Sequence, residues 1–381
     1  MPANLYVHFP FCRRKCSYCA LYSRVGVSQS DRDAYVRRLA SEIESLRVNV
    51  ASDSVAAQPL FETVYFGGGS PALCDLRPLL KALRPLMKAG VDSRRPTSDI
   101  CGREVEFTVE LHPLDVTEDL LVTLRDGGVN RISMGVQSLN DATLADMGRG
   151  YTLAEAERAF ALVKRHFDNA GIDLIVGYPG DEAEVKGGGG RWNLQRLSHW
   201  GLTHCSVYSL QNERGLKNVP SDDWTLDRLR QIAAGLKEMG LERYEISNYA
   251  VPGYECRHNL AVWWGEDYIG LGEGAYGRVG LTRTIGRKTG VETSRVTPEE
   301  DLKERTLFRL RTREGVTLSQ LRKWGQTPCQ GGQTLGEKRG QTLEETLEKY
   351  VKEGLLEKNG EVYRLTERGT EVCDSILAEL V

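Results

Sequence analysis

Residues 5–19 read LYVHFPFCRRKCSYC, a short apolar strand pattern followed closely by three cysteines. Cys12, Cys16 and Cys19 have the spacing C-x3-C-x2-C. Three thiolates on one short loop can bind three irons of a [4Fe–4S] cube and leave the fourth iron open to another ligand. This stretch therefore predicts an iron–sulfur loop at the end of a first β-strand, with a place for chemistry at the open iron.

A structural zinc site is the alternative for the same loop. His8 stands at a plausible spacing for a fourth ligand, and structural zinc takes four closed nitrogen or sulfur ligands. The other six cysteines are scattered along the chain. Scattered free cysteines usually serve as small buried apolar residues, and we expect that role for most of these six.

The composition is that of an ordinary globular protein. The chain has 381 residues, 40% of them hydrophobic, and its formal net charge is -3. This charge argues against nucleic acid as a partner, and no apolar stretch approaches the roughly 20 residues of a membrane-spanning helix. The first residues lack a signal-peptide pattern, and nine cysteines is an odd count for a disulfide framework. We therefore expect a cytoplasmic protein without stable membrane insertion.

Alternating strand and helix patterns organise the first two thirds of the chain. Helical stripes cover residues 31–46, with Asp31 as a candidate N-cap, 117–126, and 152–167, where Thr152 and Glu155 form a capping box. The predicted strands are 5–9, 63–67, 105–111, 131–137, 172–178, 204–210 and 243–248. Such βα units can build a barrel or an open doubly wound sheet.

Side-chain parity favours a barrel. In several strands the apolar residues share one face, while Tyr6, Glu110, Gln137 and Asp173 lie on the other. A face that gathers polar groups from several strands suits a barrel lined by a polar ligand. The expected fold class is thus α/β, with six or seven βα units that close or nearly close a barrel.

The pattern changes after about residue 285. Helices are predicted over 299–324, 342–353 and 367–380, with a hairpin over 355–365 that turns at Asn359-Gly360. This small α+β unit resembles a winged helix, and its mixed charges argue against nucleic-acid binding. We expect a barrel domain over 1–280 and a C-terminal domain over 290–381. The glycine-rich stretch 184–193 is expected to be a loop insertion.

Several motifs together resemble the radical S-adenosylmethionine (SAM) proteins, and within them the group of oxygen-independent coproporphyrinogen III oxidases and related haem chaperones. Besides the cysteine loop, the matching segments are YFGGGSP at 65–71, VELHP at 109–113, GVQS at 135–138, GR at 148–149, DLI at 173–175, EISN at 245–248, GYECRHN at 253–259 and LTERG at 365–369. The resemblance covers most of the chain. It implies a partial parallel (β/α)6-type radical SAM barrel and a C-terminal domain of the oxidase type.

The resemblance also implies a set of SAM-binding residues. Gly67 to Gly69 lack Cβ atoms and would let the backbone approach the SAM amino group. Glu110 would accept hydrogen bonds from the ribose hydroxyls, and the guanidinium of Arg149 would bind the SAM carboxylate. The other implied lining residues are Tyr6, Tyr18, Ser70, Gln137 and Asp173.

Within the group, the chain is more similar to the haem chaperones. The oxidases have a fourth cysteine where this chain has Leu21. The chaperones share an H-N-x-x-Tyr-Trp motif linked to haem, and here His258 and Asn259 are followed by Val262 in the tyrosine position. His258 is the expected axial ligand within a haem-binding segment near 253–264, and Cys256 is a weaker second candidate.

The resemblance therefore implies a haem chaperone that binds a [4Fe–4S] cluster, SAM and haem. Its expected partners are haem, haem-accepting apoproteins and an electron donor protein. The alternative is an anaerobic coproporphyrinogen III oxidase that uses a deoxyadenosyl radical for oxidative decarboxylation, so enzymatic activity stays open at this point.

Overall fold

Six parallel strands lie side by side in chain order in the computed structural model, which describes residues 4–48, 61–87, 105–181, 194–320 and 343–380. They are β1 (Asn4–Phe9), β2 (Thr63–Gly68), β3 (Glu106–Leu111), β4 (Arg131–Gln137), β5 (Asn169–Val176) and β6 (His204–Ser209). This order confirms the expected α/β class and the partial (β/α)6 barrel.

All the connecting helices except α2 begin where a side chain caps them. They are α1 (Gln29–Val48), α2 (Arg77–Leu83), α3 (Glu118–Asp126), α4 (Asp141–Asp146), α5 (Leu153–His166) and α6 (Asp222–Glu238). The predicted capping box of Thr152 and Glu155 is confirmed. The expected N-cap at Asp31 is wrong, because α1 begins two residues earlier and the Ser28 hydroxyl accepts the Asp31 N–H at 3.1 Å.

The predicted parity of the strands is confirmed. Leu5, Val7 and Phe9 of β1 are fully buried in the main hydrophobic core. That core also takes the equivalent apolar residues of β2 to β6 and the inward faces of the helices. Tyr6, His8 and Glu110 are left to the opposite, concave face, where ligands of an α/β barrel can bind.

The far edge of the sheet differs from prediction. Residues 243–248 are a tight hairpin between β7 (Glu242–Arg243) and β8 (Asn248–Ala250), and β8 runs antiparallel to β6. Tyr244 N–H donates to Asn248 O at 3.0 Å, and the Glu245 carboxylate binds the Asn248 amide inside the turn. These local hydrogen bonds close a turn. Apolar periodicity alone had predicted a continuous strand over the same residues.

Four strands that the sequence analysis missed extend the other edge. Strand β9 (Tyr268–Leu271) pairs in parallel with β1, and β10 (Tyr276–Val279), β11 (Thr282–Arg287) and β12 (Gly290–Arg295) continue the sheet antiparallel. Helix α7 (Arg257–Trp263) precedes them. Every residue of β12 is exposed, so this extension lacks the apolar alternation by which a half-buried strand is detected.

The C-terminal part has a separate small core and a three-stranded antiparallel sheet. Its elements are α8 (Pro298–Leu310), β13 (Val316–Thr317), α9 (Leu343–Lys352), β14 (Leu356–Asn359), β15 (Val362–Leu365), α10 (Glu367–Glu371) and α11 (Cys373–Leu380). The hairpin at Asn359-Gly360 and the small α+β unit are confirmed. The division into domains at 1–280 and 290–381 remains a prediction.

Two helix predictions in this part were too long. The helix expected over 299–324 ends at Leu310, and Gly315, with φ of +68°, turns the chain into β13. The helix expected over 367–380 is interrupted at Val372, where ψ is 21°. Residues 321–324 and the glycine-rich stretch 184–193 lie outside the described residues. No helix in the described ranges combines the length and apolarity needed to cross a bilayer.

Candidate functional site

The cysteine loop follows β1 and is closed at its base by backbone pairing. Cys12 N–H donates to Arg24 O at 3.0 Å, and Arg24 N–H donates to Pro10 O at 2.6 Å. Cys12, Cys16 and Cys19 are free and partly accessible, whereas the other cysteines in the described ranges are buried. Burial raises the pKa of Cys74 to about 12, which keeps that thiol protonated. Among the cysteines that the structure describes, the accessible thiols are therefore concentrated on this loop.

The glycines at the end of β2 make room for neighbouring groups. Gly69 N–H donates to Phe9 O at 2.7 Å, and a Cβ added at Gly69 would lie 2.4 Å from Phe11 O and 3.0 Å from Cys12 Sγ. At Gly67 an added Cβ would lie 2.9 Å from the Glu110 carboxylate. The glycine run thus lets β2 pass directly beneath the cysteine loop and beside Glu110. These contacts supply a reason for the glycines in addition to the expected approach to SAM.

Arg149 links the cysteine loop to the barrel. Its Nη1 donates to Cys16 Sγ at 3.4 Å and to the Tyr18 hydroxyl at 3.3 Å, and its Nη2 donates to Gly135 O at 2.7 Å. Gln137, two residues after Gly135, has the left-handed φ of 73° at a bulge in β4. A Cβ added at Gly135 would lie 2.7 Å from Gln137 Nε2, so this glycine leaves space for the polar cluster.

Ser70 is held by a buried carboxylate. Its hydroxyl donates to Asp115 Oδ2, and Asp115 also forms an ion pair with Arg13 at 2.6 Å. The pair ties the cysteine loop to the segment after β3. The structure therefore gives Ser70 a bonded partner within the protein.

Glu110 and Asp173 are carboxyl groups on the concave face. Glu110 accepts from the Tyr65 hydroxyl at 2.8 Å and from Gly68 N–H at 3.0 Å. Burial, and then the charge of Asp173, raise the pKa of Glu110 to about 7. Burial also raises the pKa of Asp173, whose Oδ1 accepts from the Ser133 hydroxyl at 3.1 Å. A cationic or hydroxyl-bearing ligand would stabilise these carboxylates in the charged form.

A cavity of about 770 Å³ opens beside Glu110. Three of the predicted site residues line this cavity, namely Tyr6, Glu110 and His258. Gln137, Arg149 and Asp173 are not among its described lining residues. The rest of the wall is largely aromatic and apolar, with two cations at one side. It comprises His8, Ala20, Leu21, Tyr22, Tyr65, Tyr208, Asn259, Val262, Tyr268, Gly274, Tyr276, Ile285, Gly286, Arg287 and Lys288. Since Ala20 to Tyr22 directly follow Cys19, the cavity adjoins the cysteine loop.

His258 lies in the first turn of α7 at the wall of this cavity. Burial, and then the charge of Arg131, lower its pKa to about 3, so the imidazole is neutral. Its ring centroid lies 5.2 Å from that of Tyr65. Its backbone N–H donates to Glu106 Oε1 at 3.0 Å, and Glu106 Oε2 accepts from Arg257 N–H at 2.9 Å. A carboxylate from β3 therefore caps this helix and fixes it on the barrel.

Cys256, the weaker ligand candidate, is poorly suited to bind haem iron. It is fully buried, and burial raises the pKa of its thiol to about 12. Its Sγ donates to Glu106 Oε1 at 3.6 Å. The thiol is thus protonated and bonded inside the fold, and it is not among the described residues of the cavity wall.

The cysteine loop fits an iron–sulfur cluster better than a zinc ion. Both ring nitrogens of His8 are engaged, Nε2 with Tyr22 O at 2.9 Å and Nδ1 with the Tyr6 hydroxyl at 3.0 Å. Within the described ranges, no three His, Cys, Asp or Glu side chains converge on one metal ion. A [4Fe–4S] cubane with one open iron takes three thiolates, so it needs no fourth side chain from the protein. Because burial raises the pKa of Cys12, metal binding there would release a proton.

Two family models match the chain. Residues 6–185 match the Radical SAM superfamily, and residues 296–372 match the HemN C-terminal domain. The chain is a member of the radical SAM superfamily, and this membership implies a [4Fe–4S] cluster and SAM. The match begins at Tyr6 and includes the whole cysteine loop.

Similar proteins show to which family within the radical SAM superfamily the chain belongs. "Heme chaperone HemW" of Escherichia coli K12 is 34% identical over 289 residues, which cover 73% of this chain and 70% of that protein. The protein of the same name from Bacillus subtilis 168 is 28% identical over 414 residues, covering 99% of this chain and 100% of that protein. The chain belongs to the HemW family, which confirms the resemblance found in the sequence.

A solved structure supports the fold. Coproporphyrinogen III oxidase (HemN) from Escherichia coli, described as a radical SAM enzyme, superposes with a TM-score of 0.73 at 21% identity. The match covers 100% of this chain and 90% of that chain. At this identity the similarity establishes the common fold.

Several residues of the cavity were missed by the sequence analysis. Tyr65 shares one face of β2 with Gly67 and lines the cavity, and strand parity alone could have found it. Arg287 and Lys288 lie at the β11–β12 turn, in a hairpin that was not predicted. No local sequence signal connects that hairpin to His258.

Proposed function

We propose that this protein is a haem chaperone, which binds a [4Fe–4S] cluster, SAM and haem and delivers haem to haem-requiring apoproteins. The observation that carries the proposal is the position of His258, a neutral imidazole in the wall of a cavity of about 770 Å³. Neutral imidazole is a common axial ligand of haem iron. The name of the relatives, heme chaperone HemW, supports the same cargo.

The cavity suits an amphiphilic porphyrin. Its volume lies within the range of about 300 to 1,000 Å³ that is typical of ligand pockets. Leu21, Val262 and Ile285 offer apolar surface to a macrocycle. Lys288 adds positive charge that can pair with a carboxylate side chain of the ligand, while Arg287 beside it forms an ion pair with Glu292 at 2.6 Å. A flat apolar ring with an iron centre and anionic edges would match these walls.

The cysteine loop and the polar cluster would hold the two other groups. Cys12, Cys16 and Cys19 would bind the cluster. Glu110 would accept from the ribose hydroxyls of SAM and Arg149 would hold its carboxylate, with Tyr6, Tyr18, Gly67, Gly68, Gly69, Ser70, Gln137 and Asp173 around them. Bound next to a reduced cluster, SAM would supply radical chemistry. Reduction of the cluster would require an electron donor protein.

The oxidase alternative has less support. Leu21 stands where the oxidases have a fourth cysteine, and it is 57% exposed at the rim of the cavity. The structural similarity to HemN concerns the fold, which chaperone and oxidase would share.

Haem titration under anaerobic conditions tests the proposal. The cluster-loaded chain should bind haem at about one per chain with a Soret band typical of histidine ligation. His258→Ala should weaken binding by at least tenfold, and replacement of the exposed His199 by alanine should leave it unchanged. Equal affinity of the wild type and His258→Ala would contradict the assignment of the haem ligand.

A further inference from the structure

A hydrogen-bond chain runs behind His258, away from the cavity. The Nδ1 atom of His258 lies 2.8 Å from Thr63 Oγ1, and Thr63 Oγ1 lies 2.8 Å from Asn4 Oδ1. The three residues are 5%, 2% and 1% exposed, respectively. They come from α7, β2 and β1, so three separate elements meet at this chain.

The orientation of the Asn4 amide sets the direction of the chain. Its Nδ2 donates to the backbone carbonyl of Asp267 at 3.1 Å and to Glu266 Oε2 at 3.3 Å. Both partners only accept hydrogen bonds, so the amide nitrogen must face them. The amide oxygen is consequently the atom that faces Thr63.

The single hydroxyl proton of Thr63 is therefore used in the hydrogen bond to Asn4. Asn4 Oδ1 can only accept, so the Thr63 hydroxyl donates to it. Thr63 Oγ1 can then serve His258 only as an acceptor, and the proton must lie on His258 Nδ1. In a neutral imidazole this leaves Nε2 with the free lone pair.

The Nε2 atom is available to a ligand. Within the described part of the chain it makes no hydrogen bond, and His258 lines the cavity. The ring is also held from the side, since its centroid lies 5.2 Å from Tyr65 and 6.3 Å from Tyr6. Both the tautomer and the plane of the imidazole are thus determined by the protein.

We propose that Thr63 and Asn4 are positioning residues for haem, which fix the tautomer and orientation of His258 so that Nε2 presents its lone pair to the iron. This inference rests on the proposed function. Hydrogen bonding at the second ring nitrogen also makes an imidazole a stronger donor to a metal, and loss of such a partner typically weakens metal binding by about 10- to 100-fold.

Thr63→Val and Thr63→Ser test the role of this hydrogen-bond chain, called the relay below, by haem titration and by the reduction potential of the bound haem. Valine has nearly the shape of threonine but cannot accept the Nδ1 proton, so affinity should fall by about tenfold or more and the potential should rise. Serine keeps the hydroxyl and should behave like the wild type. Equal values for wild type and Thr63→Val, or equal losses in both variants, would overturn the relay.

A second measurement avoids dependence on how Thr63→Val folds. In His258→Gly, added imidazole should restore haem binding by about tenfold more than 1-methylimidazole, because only imidazole can bind iron and still donate to Thr63. Equal rescue would overturn the relay. If the wild type binds no haem, or His258→Ala binds as tightly as the wild type, the proposed haem site itself fails and the inference fails with it. A loss in His258→Ala with no effect at Thr63 overturns the relay alone.

Discussion

Arg149 Nη1 donates to Cys16 Sγ across 3.4 Å, although 133 residues separate them in the chain. The contact connects the loop that would hold the cluster to the segment between α4 and α5. The same guanidinium is fixed by the Tyr151 hydroxyl at 3.1 Å and by Gly135 O at 2.7 Å. A cationic group thus stands at a defined position next to the cysteine loop, where the carboxylate of SAM is proposed to bind.

Arg149→Lys should weaken SAM binding while the cluster is retained. A lysine cannot reproduce the several fixed N–H directions of a guanidinium. The loss of charge-assisted hydrogen bonds predicts an affinity reduced by about tenfold or more. Equilibrium binding of SAM to the anaerobic cluster-loaded protein measures it, with the exposed Arg165→Lys as control. Unchanged affinity in Arg149→Lys would remove Arg149 from the SAM site.

Cys16→Ala should abolish the cluster. With one of three thiolates removed, bound iron should fall from about four per chain to the background, and the signal of the reduced cluster in electron paramagnetic resonance should disappear. Cys74→Ala removes a buried thiol that packs in the core and should retain both. Full iron content and an unchanged signal in Cys16→Ala would show that other residues hold the metal.

Glu110→Gln should stabilise the SAM-free protein at high pH while impairing SAM binding. The pKa of Glu110 is raised from 4.5 to about 7, so its ionisation destabilises the fold. The loss of folding free energy caused by this ionisation is absent below about pH 4.5, grows as the pH rises to about 7, and then stays constant. At pH 8 the variant should be more stable by on the order of 2 kcal/mol, allowing for partial exposure of the carboxyl.

Thermal unfolding of both proteins between pH 5 and 8 measures this difference, and SAM titration at pH 8 provides the second readout. The advantage of the glutamine variant should shrink as the pH is lowered. An advantage that does not vary with pH would refute the assigned titration. Undiminished SAM affinity would refute the role of Glu110 in binding.

Val262→Tyr should strengthen haem binding. Val262 lines the cavity one turn after His258, at the position where the related motif has tyrosine. A new hydroxyl that finds a partner contributes about 0.5 to 1.5 kcal/mol, which corresponds to a several-fold gain in affinity. Val262→Phe adds the ring without the hydroxyl. The same affinity in the two variants would show that the hydroxyl has no part in haem binding.

The sequence predicted the elements whose signals are local. Strand parity located Leu5, Val7 and Phe9 in the core and Tyr6 on the concave face, as found. The cysteine spacing predicted an iron–sulfur loop after the first strand, and the structure has the three thiols, partly accessible, on a loop where that strand ends. These features follow from chemistry within a few residues, so they can be recognised without knowledge of the fold.

Features that depend on distant contacts could not be predicted in this way. Thr63 is 195 residues from His258 and 59 residues from Asn4, and only the barrel brings the three together. The exposed strand β12 has no apolar alternation. The glycines of 67–69 were interpreted as space for a ligand, whereas the structure shows that they also accommodate Glu110 and the cysteine loop.

We propose that this radical SAM scaffold carries haem and does not oxidise a porphyrinogen. The most direct test is product analysis after anaerobic incubation of the cluster-loaded protein with SAM, a reductant and coproporphyrinogen III, using a preparation already shown to bind haem. Coproporphyrinogen III should be recovered unchanged from this incubation. Formation of protoporphyrinogen in amounts that scale with the protein would contradict it.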